Sequence, residues 1–267
     1  MDFRLLGALS VSNGTDALPI ARGAQRAVLA VLLLNANYVV TTEDIIDELW
    51  GEPPPTARAS VQNNVMRLRR TLGNQASRLV THSDGYEIRV SQGELDIARF
   101  EHLVASGWLA IRRVDWALAL DQLGAALALW RGRPFTDVPA SRRALNEGHR
   151  LTEMRLAAIE ALAQADINLG RYGQAIADLT RLTHDEPLRE RAHALLMTAL
   201  CCEGQRGAAL AVYQVARNAL REQGLDPGWD LRELQHRILR GEPLLATPGS
   251  VRPSPPDAVA SRTASPA

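Results

Sequence analysis

The chain has 267 residues, 46% hydrophobic and 4% aromatic, and its formal net charge is zero because 30 basic residues balance 30 acidic ones. All the basic residues are arginine, which excludes P-loop nucleotide hydrolases, Schiff-base enzymes and pyridoxal phosphate enzymes, since each of these needs a lysine. The length predicts two domains. Because the sequence shows no secretion signal and no apolar run long enough to cross a bilayer, we expect a cytoplasmic protein without a membrane partner.

Metal and redox chemistry have no support in the sequence. The six histidines are scattered, and no HExxH motif or zinc-type cysteine spacing is present. Cys201 and Cys202 are adjacent in a helical stretch, where their side chains diverge, so we interpret them as small core residues. The sequence therefore predicts no catalytic residue, no metal and no cofactor.

The first segments predict a small sheet followed by two helices. Residues 3–20 contain short apolar runs separated by Asn13-Gly14, a tight-turn signal that favours antiparallel strands. Residues 25–34 predict a mostly buried helix. Thr41 or Thr42 is expected to cap the next helix, which Gly51 ends. Its packing side is formed by Ile45, Ile46, Leu49 and Trp50.

The segment from Thr56 to Leu72 predicts an amphipathic helix with Thr56 as its cap. At 3.6 residues per turn, its apolar stripe consists of Ala57, Val61, Val65, Leu68 and Leu72. The opposite side carries Ala59, Asn63, Met66, Arg67 and Arg70, with Ser60 on one flank and Gln62 and Arg69 on another. Residues 56–83 hold five arginines and no acid. This positive face is consistent with nucleic-acid binding. It is equally consistent with a solvent-exposed face whose arginines bind nothing and lay their apolar stems along the helix.

A β-hairpin is predicted directly after this helix. Residues 78–81 and 86–90 have strand composition, and a turn at residues 82–85 separates them. The predicted order of elements is therefore a leading sheet, three helices and a hairpin. This is the order found in a winged helix.

Residues 1–92 resemble the DNA-binding domain of OmpR-type regulators. The resemblance is carried by VQNNVMRLRRTLG, similar to the recognition helix, and by RLVTHSDGYEI, similar to the wing with its terminal Gly-Tyr. It implies a fold that is mainly α with small β, in which the helix enters a major groove while arginines hold phosphates.

The resemblance also assigns roles to single residues. It implies that Ser60, Asn63, Asn64 and Arg67 lie nearest the bases, that Arg69 and Arg70 lie nearer the backbone, and that His82 and Tyr86 belong to the wing. The helical period agrees for Asn63, Arg67 and Arg70, whereas it turns Asn64 toward the buried stripe. Met66 and His82 depart from the family pattern and weaken phosphate attraction, so tight binding is expected to need two copies. Arg22 and Arg26 are further phosphate-contact candidates, with solvated charge as the alternative.

The second half, residues 94–243, predicts an all-α domain joined by the linker Ser91-Gln92-Gly93. Gly170 and Gly204, Ala175 and Ala209, and the apolar pair Ile176 and Leu210 are each separated by 34 residues. This is the tetratricopeptide period, in which glycine allows the tight turn between helices and alanine their close approach. Residues 246–267 are rich in Pro, Ser and Ala and predict a disordered tail.

This half resembles the bacterial transcriptional activator domain through LDIARFEHL, DEPLRERAHALLMTAL and ALAVYQVARNALREQGLDPGWDLRELQHRIL. Together with the OmpR-type domain, it makes the chain similar to the Streptomyces antibiotic regulatory protein family, as a short member without a receiver or NTPase module. The resemblance implies an activator that binds promoter direct repeats in double-stranded DNA as a homodimer and acts at the nucleoid. It further implies recruitment of RNA polymerase holoenzyme through its sigma factor to antibiotic biosynthesis genes.

Two other functions remain open at the level of sequence. The helical repeat is also typical of an adaptor that binds a peptide, a protein or a small ligand, with the basic helix merely solvated. An enzymatic function is disfavoured because the sequence shows no nucleophile paired with a base, no set of metal ligands and no phosphate-binding loop at the spacing that such sites require.

Overall fold

The computed structural model describes residues 1–139 and 141–244. Within those ranges the chain forms six short strands followed or separated by ten α-helices, which confirms the predicted mainly helical fold with small sheets. The predicted tail at 246–267 lies outside the described residues. In the N-terminal half the elements are β1 Asp2–Arg4, β2 Ser10–Asn13, β3 Asp16–Ala17, α1 Ala24–Leu33, β4 Val40–Thr41, α2 Thr42–Leu49, α3 Ala57–Leu72, β5 Leu79–Thr81 and β6 Gly85–Ile88.

Two three-stranded antiparallel sheets flank the first helices. The leading sheet has the order β1-β2-β3, and the wing sheet has the order β4-β6-β5. The predicted turn near Asn13 is shifted by one residue, because Asn13 pairs with Asp16 and the two-residue loop is Gly14-Thr15. Gly14 has φ +63°, a conformation that favours glycine.

Helix capping differs between α2 and α3. Thr41 caps α2 as expected, since its side chain accepts a hydrogen bond from Asp44 N at 3.0 Å. Thr56 stands at the N-cap of α3, but its side chain makes no capping hydrogen bond. The backbone turns there instead, with Ala57 N donating to Pro54 O at 2.9 Å, because the preceding prolines and a ψ of 6° at Thr56 hold a compact entry.

The C-terminal half is a stack of antiparallel helix pairs. Its helices are α4 Asp96–Arg112, α5 Trp116–Ala128, α6 Arg142–Asn168, α7 Tyr172–Asp185, α8 Glu190–Cys202, α9 Arg206–Glu222 and α10 Trp229–Arg240. Gly170 and Gly204 lie in the turns of α6–α7 and α8–α9 with φ +74° and +83°. Ala175 and Ala209 are fully buried where the paired helices approach. The spacing argument is thus confirmed for these two pairs.

A third pair, α4–α5, has the same turn, which the sequence did not reveal. Val114 has φ +61°, and Ala119, five residues later, is fully buried, as in the other two pairs. Asp115 N donates to Ala110 O at 3.0 Å, matching the bonds from Arg171 N and Gln205 N in the other turns. A β-branched valine occupies the position that glycine takes elsewhere, so the glycine-based repeat missed this unit.

The winged helix and the first helices of the second half share one hydrophobic core. A single buried cluster extends from Phe3 in β1 through Leu68 in α3 and Phe100 in α4 to Ala165 in α6. A second cluster begins within α6 and continues to Ile238 in α10. The leading sheet therefore links the two predicted domains instead of standing apart from them.

One buried carboxylate, that of Asp96, connects the two halves at this junction. Asp96 is 1% exposed, and it accepts hydrogen bonds from Leu5 N and Leu6 N at 2.8–2.9 Å. Burial raises the pKa of Asp96, while those hydrogen bonds and Arg131 at 3.7 Å act in the opposite direction. The first turn of α4 is thereby tied directly to the chain that follows β1.

Candidate nucleic-acid interface

Helix α3 has the two faces that its period predicts. The stripe of Ala57, Val61, Val65, Leu68 and Leu72 is 0–4% exposed and packs into the shared core. The opposite face carries the exposed side chains of Arg58, Ala59, Gln62, Asn63, Met66, Arg67 and Arg70. Sixteen residues at 1.5 Å each make a rod about 24 Å long, which fits along a major groove roughly 12 Å wide.

Asn63 and Arg67 are adjacent on the exposed face, one turn apart. Arg70 lies on the same face, with Met66 Sδ 4.0 Å from its Nη2. Arg58, at the start of α3, pairs with Glu43 of α2, so an acid offsets the charge at that end. Sequence reasoning missed this pair, which joins residues 15 positions apart. The positive surface is therefore concentrated in the C-terminal half of α3.

Arg69 is occupied by the wing. Its Nε and Nη2 donate to Leu79 O at 3.0 and 2.7 Å, and Nη2 also donates to Thr81 Oγ1 at 2.7 Å. The guanidinium thus bonds α3 to strand β5. In this arrangement Arg69 orients the wing, whereas the resemblance assigned it to the DNA backbone.

The predicted wing residue His82 faces an acid. His82 Nε2 lies 2.8 Å from Glu87 Oε2, and Arg89 Nε donates to the other oxygen at 3.3 Å. The hydrogen bond with His82 holds the pKa of Glu87 below its usual range, aided by Arg89. Glu87 thus offsets the charge of Arg89 next to the wing.

Two further predicted site residues are buried. Tyr86 is 8% exposed within the wing sheet, and Asn64, also 8% exposed, donates through Nδ2 to Ser60 O at 2.9 Å. As the helical period indicated, Asn64 points toward the core, so in this structure neither side chain is presented to a groove. Ser60 itself is half-buried at the edge of the exposed face.

The two candidate residues near α1 have different environments. Arg22 is exposed just before α1. Arg26 instead bonds to Ile20 O at 3.2 Å, to Leu9 O at 2.7 Å and to the carboxylate of Asp137. Its charge is thus neutralised at the junction between the two halves. The sequence gave no signal for this contact, since Asp137 is 111 positions away.

Glu94 is a further structural residue that sequence reasoning did not single out. It accepts two hydrogen bonds from Arg78, at 2.7 and 3.0 Å, and others from Ser91 N and the Met1 ammonium. Burial favours the neutral acid, but these donors outweigh it and lower the pKa of Glu94 to about 2. The carboxylate fixes the linker against the end of the wing segment.

The arrangement presents a rigid helix face with two amides, Gln62 and Asn63, and with two guanidinium groups, Arg67 and Arg70, that form no ion pair within the described part of the chain. This face lies beside a wing held by Arg69. Asparagine and arginine are the side chains that read adenine and guanine edges. Between residues 1–139 and 141–244, no helix is both long and apolar enough to span a membrane. The same residues hold no group of three or more His, Cys, Asp or Glu side chains placed to bind a metal ion.

Comparison with known proteins identifies both halves. Residues 21–87 match the family described as "transcriptional regulatory protein, C terminal", and residues 95–239 match the "bacterial transcriptional activator domain". Regulatory protein DnrI from Streptomyces peucetius is 36% identical over 255 residues, which cover 91% of this chain and 93% of DnrI.

Longer proteins are also similar. Regulatory protein AfsR from Streptomyces griseus is 38% identical over 255 residues, covering 95% of this chain but 26% of AfsR. The chain thus spans about a quarter of the length of AfsR. Among solved structures, Mycobacterium tuberculosis EmbR in complex with a low-affinity phosphopeptide aligns with a TM-score of 0.87 and 35% identity, covering 91% of this chain and 66% of that chain.

Proposed function

The chain belongs to the Streptomyces antibiotic regulatory protein family of transcriptional regulators, and from that premise we propose that it is a sequence-specific DNA-binding activator of transcription. The observation that carries the proposal is the exposed face of α3, where Asn63, Arg67 and Arg70 contact no acid among the described residues while the opposite stripe is buried. Such a helix enters a major groove with its polar face toward the bases.

The residues divide by their surroundings. Asn63 and Arg67 read base edges, with Ser60 beside them. Arg70 and the exposed Arg22 hold phosphates, because neither forms an ion pair within the described residues. Arg69 sets the angle of the wing through its bonds to β5. Asn64, Tyr86 and Arg26 act through packing and hydrogen bonding inside the protein.

One domain provides few phosphate contacts, so two copies are needed for tight binding. Affinity for DNA at physiological salt grows with the number of phosphates that are neutralised, and here Glu43 offsets Arg58 and Glu87 offsets Arg89. We expect a homodimer on direct repeats in a promoter, where each copy reads one repeat. The shared core holds the winged helix and the first helices of the second half in one orientation within each copy.

The helical half then contacts the transcription machinery. In this proposal it recruits RNA polymerase holoenzyme through its sigma factor, at the nucleoid in the cytoplasm, to genes for antibiotic biosynthesis. Transcription in a purified system should rise when the protein is added to a template with the direct repeats, and should not rise when one repeat is scrambled.

The experiment that tests DNA binding is a gel shift with footprinting on promoter fragments at physiological salt. A regulator prefers one fragment over competitor DNA, and its footprint covers about two helical turns for a side-by-side pair but one turn for a monomer. Arg67→Ala should weaken binding to the preferred site by about 1–3 kcal/mol and relax discrimination. Equal loss on scrambled DNA would assign Arg67 to the backbone, and no preference at all would favour an adaptor.

A further inference from the structure

A cavity of about 300 Å³ lies where the loop after α5 folds over α6. Its lining is unusual because the polar side chains are mostly hydrogen-bond donors. They are Trp130, Arg133, His149, Thr152 and Arg155. No Asp or Glu of the described residues lines this cavity, whereas Phe135, Val138 and Ala144 give it an apolar wall.

Two of these donors have no acceptor. Trp130 Nε1 and Arg155 Nε are buried from solvent and make no hydrogen bond within residues 1–139 and 141–244. Buried donors in folded proteins are nearly always paired, so two such atoms beside one cavity indicate a missing acceptor. The two side chains also touch, with Arg155 Cζ 5.0 Å from the centroid of the Trp130 ring.

The charge of Arg155 is not matched by its neighbours on α6. Glu153 and Glu160 both pair with Arg189, at 2.9 and 2.7 Å. The pair of donors is also held firmly, because Phe100 packs edge-on against Trp130 with ring centroids 5.3 Å apart. The cavity therefore presents a fixed, positively charged set of donors.

The loop that covers the cavity is strained and is held from outside. Phe135 has φ +58° while only 7% exposed, a costly conformation for an aromatic residue that persists only where the surroundings enforce it. Phe135 N donates to Leu5 O at 3.4 Å, and Asp137 binds Leu9 N at 2.7 Å. These bonds anchor the loop to the segment between β1 and β2.

We propose that this cavity binds a small carboxylate with an apolar body. A carboxylate only accepts hydrogen bonds, so its two oxygens satisfy Trp130 Nε1 and Arg155 Nε while its charge balances the guanidinium. Its hydrocarbon part packs against Phe135, Val138 and Ala144. An inorganic anion fills the donor set but leaves the apolar wall bare.

The probe for this site is benzoate, which has a carboxylate on an apolar ring, measured by isothermal titration calorimetry with the full chain. A fragment of this size is expected to bind with a Kd on the order of 1 mM. Benzamide, its neutral isostere, should bind at least about tenfold more weakly, since an interaction with a charged acceptor is lost. Inorganic phosphate should compete with benzoate only weakly, because it fills the donor set without packing against the apolar wall. Absence of benzoate binding, or equal binding of benzamide, would overturn the proposal.

Variants show whether benzoate occupies this cavity. Trp130→Phe keeps an aromatic side chain but removes the indole N–H donor, and should weaken benzoate binding about tenfold. At Gly148, a Cβ would lie 3.7 Å from Phe135 Cδ2, an ordinary contact, so Gly148→Leu is expected to fill the cavity and Gly148→Ala to leave most of it. Benzoate binding should vanish in Gly148→Leu and persist in Gly148→Ala.

Circular dichroism of each variant verifies that the helices are intact before titration. Unchanged benzoate affinity in both Trp130→Phe and Gly148→Leu would place the ligand elsewhere and refute the site. No DNA enters these measurements, so a negative result leaves the proposed DNA binding untouched, and a failure of DNA binding leaves this site untouched.

Discussion

Replacing Arg69 by methionine separates the two roles that this residue can have. The guanidinium donates to Leu79 O at 3.0 and 2.7 Å and to Thr81 Oγ1 at 2.7 Å, so in the structure it belongs to the wing. Methionine retains an apolar stem of similar reach but none of the donors. A hydrogen bond from a charged group contributes about 1.5–3 kcal/mol when buried. Because Arg69 is half-exposed, we expect the variant to lose about 1–2 kcal/mol of unfolding free energy.

The same variant should leave the salt dependence of DNA binding unchanged. Each neutralised phosphate adds about 0.9 to the slope of log K against log salt concentration. Since the Arg69 guanidinium is occupied at the wing, removing it should weaken DNA binding through a looser wing without changing this slope.

Arg70→Met is the matched control on the next position of α3. Arg70 is exposed, and its Nη2 makes a weak contact with Met66 Sδ at 4.0 Å. Its replacement should leave stability within about 0.5 kcal/mol and reduce the slope by roughly 0.9. Urea unfolding followed by circular dichroism gives the stability, and fluorescence anisotropy of labelled operator DNA at several salt concentrations gives the slope. A fully stable Arg69→Met protein with a reduced slope would refute the assignment of Arg69 to the wing.

Four further substitutions test the fold. Gly85→Ala places a Cβ closer to Val40 O than real Cβ atoms come to a backbone atom, and should cost about 1–3 kcal/mol in urea unfolding. Gly124→Ala, whose new Cβ meets nothing within 4 Å, should stabilise the chain by up to about 1 kcal/mol. Val114→Gly relieves a left-handed β-branched residue and should raise the free energy of unfolding by about 0.5–1 kcal/mol, while a decrease would contradict the repeat turn. The pKa of Glu94 is lowered from 4.5 to about 2, so its stabilising effect is present above pH 4.5 and is lost as the pH falls toward 2. Glu94→Gln should therefore flatten the fall in stability across that range, and an unchanged acid profile would count against the role of Glu94.

The local pattern of the chain was sufficient to predict the elements that hold the site. Helix α3 buries the apolar stripe that its 3.6-residue period predicts. Side chains at this spacing share one face of the helix, so all of them are removed from water when that face packs against the core. The turns at Gly170 and Gly204 were predictable because only a residue tolerant of positive φ fits them easily. Val114 shows the limit of this reasoning, since tertiary packing of α4 on α5 enforces the same turn on an unfavourable residue.

Contacts between distant residues were not predictable from the pattern. Arg69, Arg70 and Arg67 look equivalent in sequence, yet only the first lies where the carbonyl of Leu79 can accept its hydrogen bonds. Arg26 resembled a phosphate contact until the structure placed Asp137 against it. Charge alone therefore identifies the basic helix, while the partners across the fold decide which arginines remain available for DNA.

The continuity of the core across the linker is a second feature that the sequence did not reveal. Residues 91–93 predict a short linker between two domains, but Glu94 and Asp96, on either side of Leu95, bind the start of the chain. Those bonds join residues 90 or more positions apart, beyond the reach of any local pattern.

Methylation interference on the preferred operator tests most directly whether the exposed face of α3 reads bases in the major groove. Guanine N7 lies in that groove, so methylating it at the contacted base pair blocks an approaching arginine. We predict that premethylation of a guanine in each repeat abolishes binding of the unaltered protein, and that Arg67→Ala becomes indifferent to methylation at that same guanine. Binding that tolerates N7 methylation throughout both repeats, with or without Arg67, would contradict insertion of α3 into the major groove.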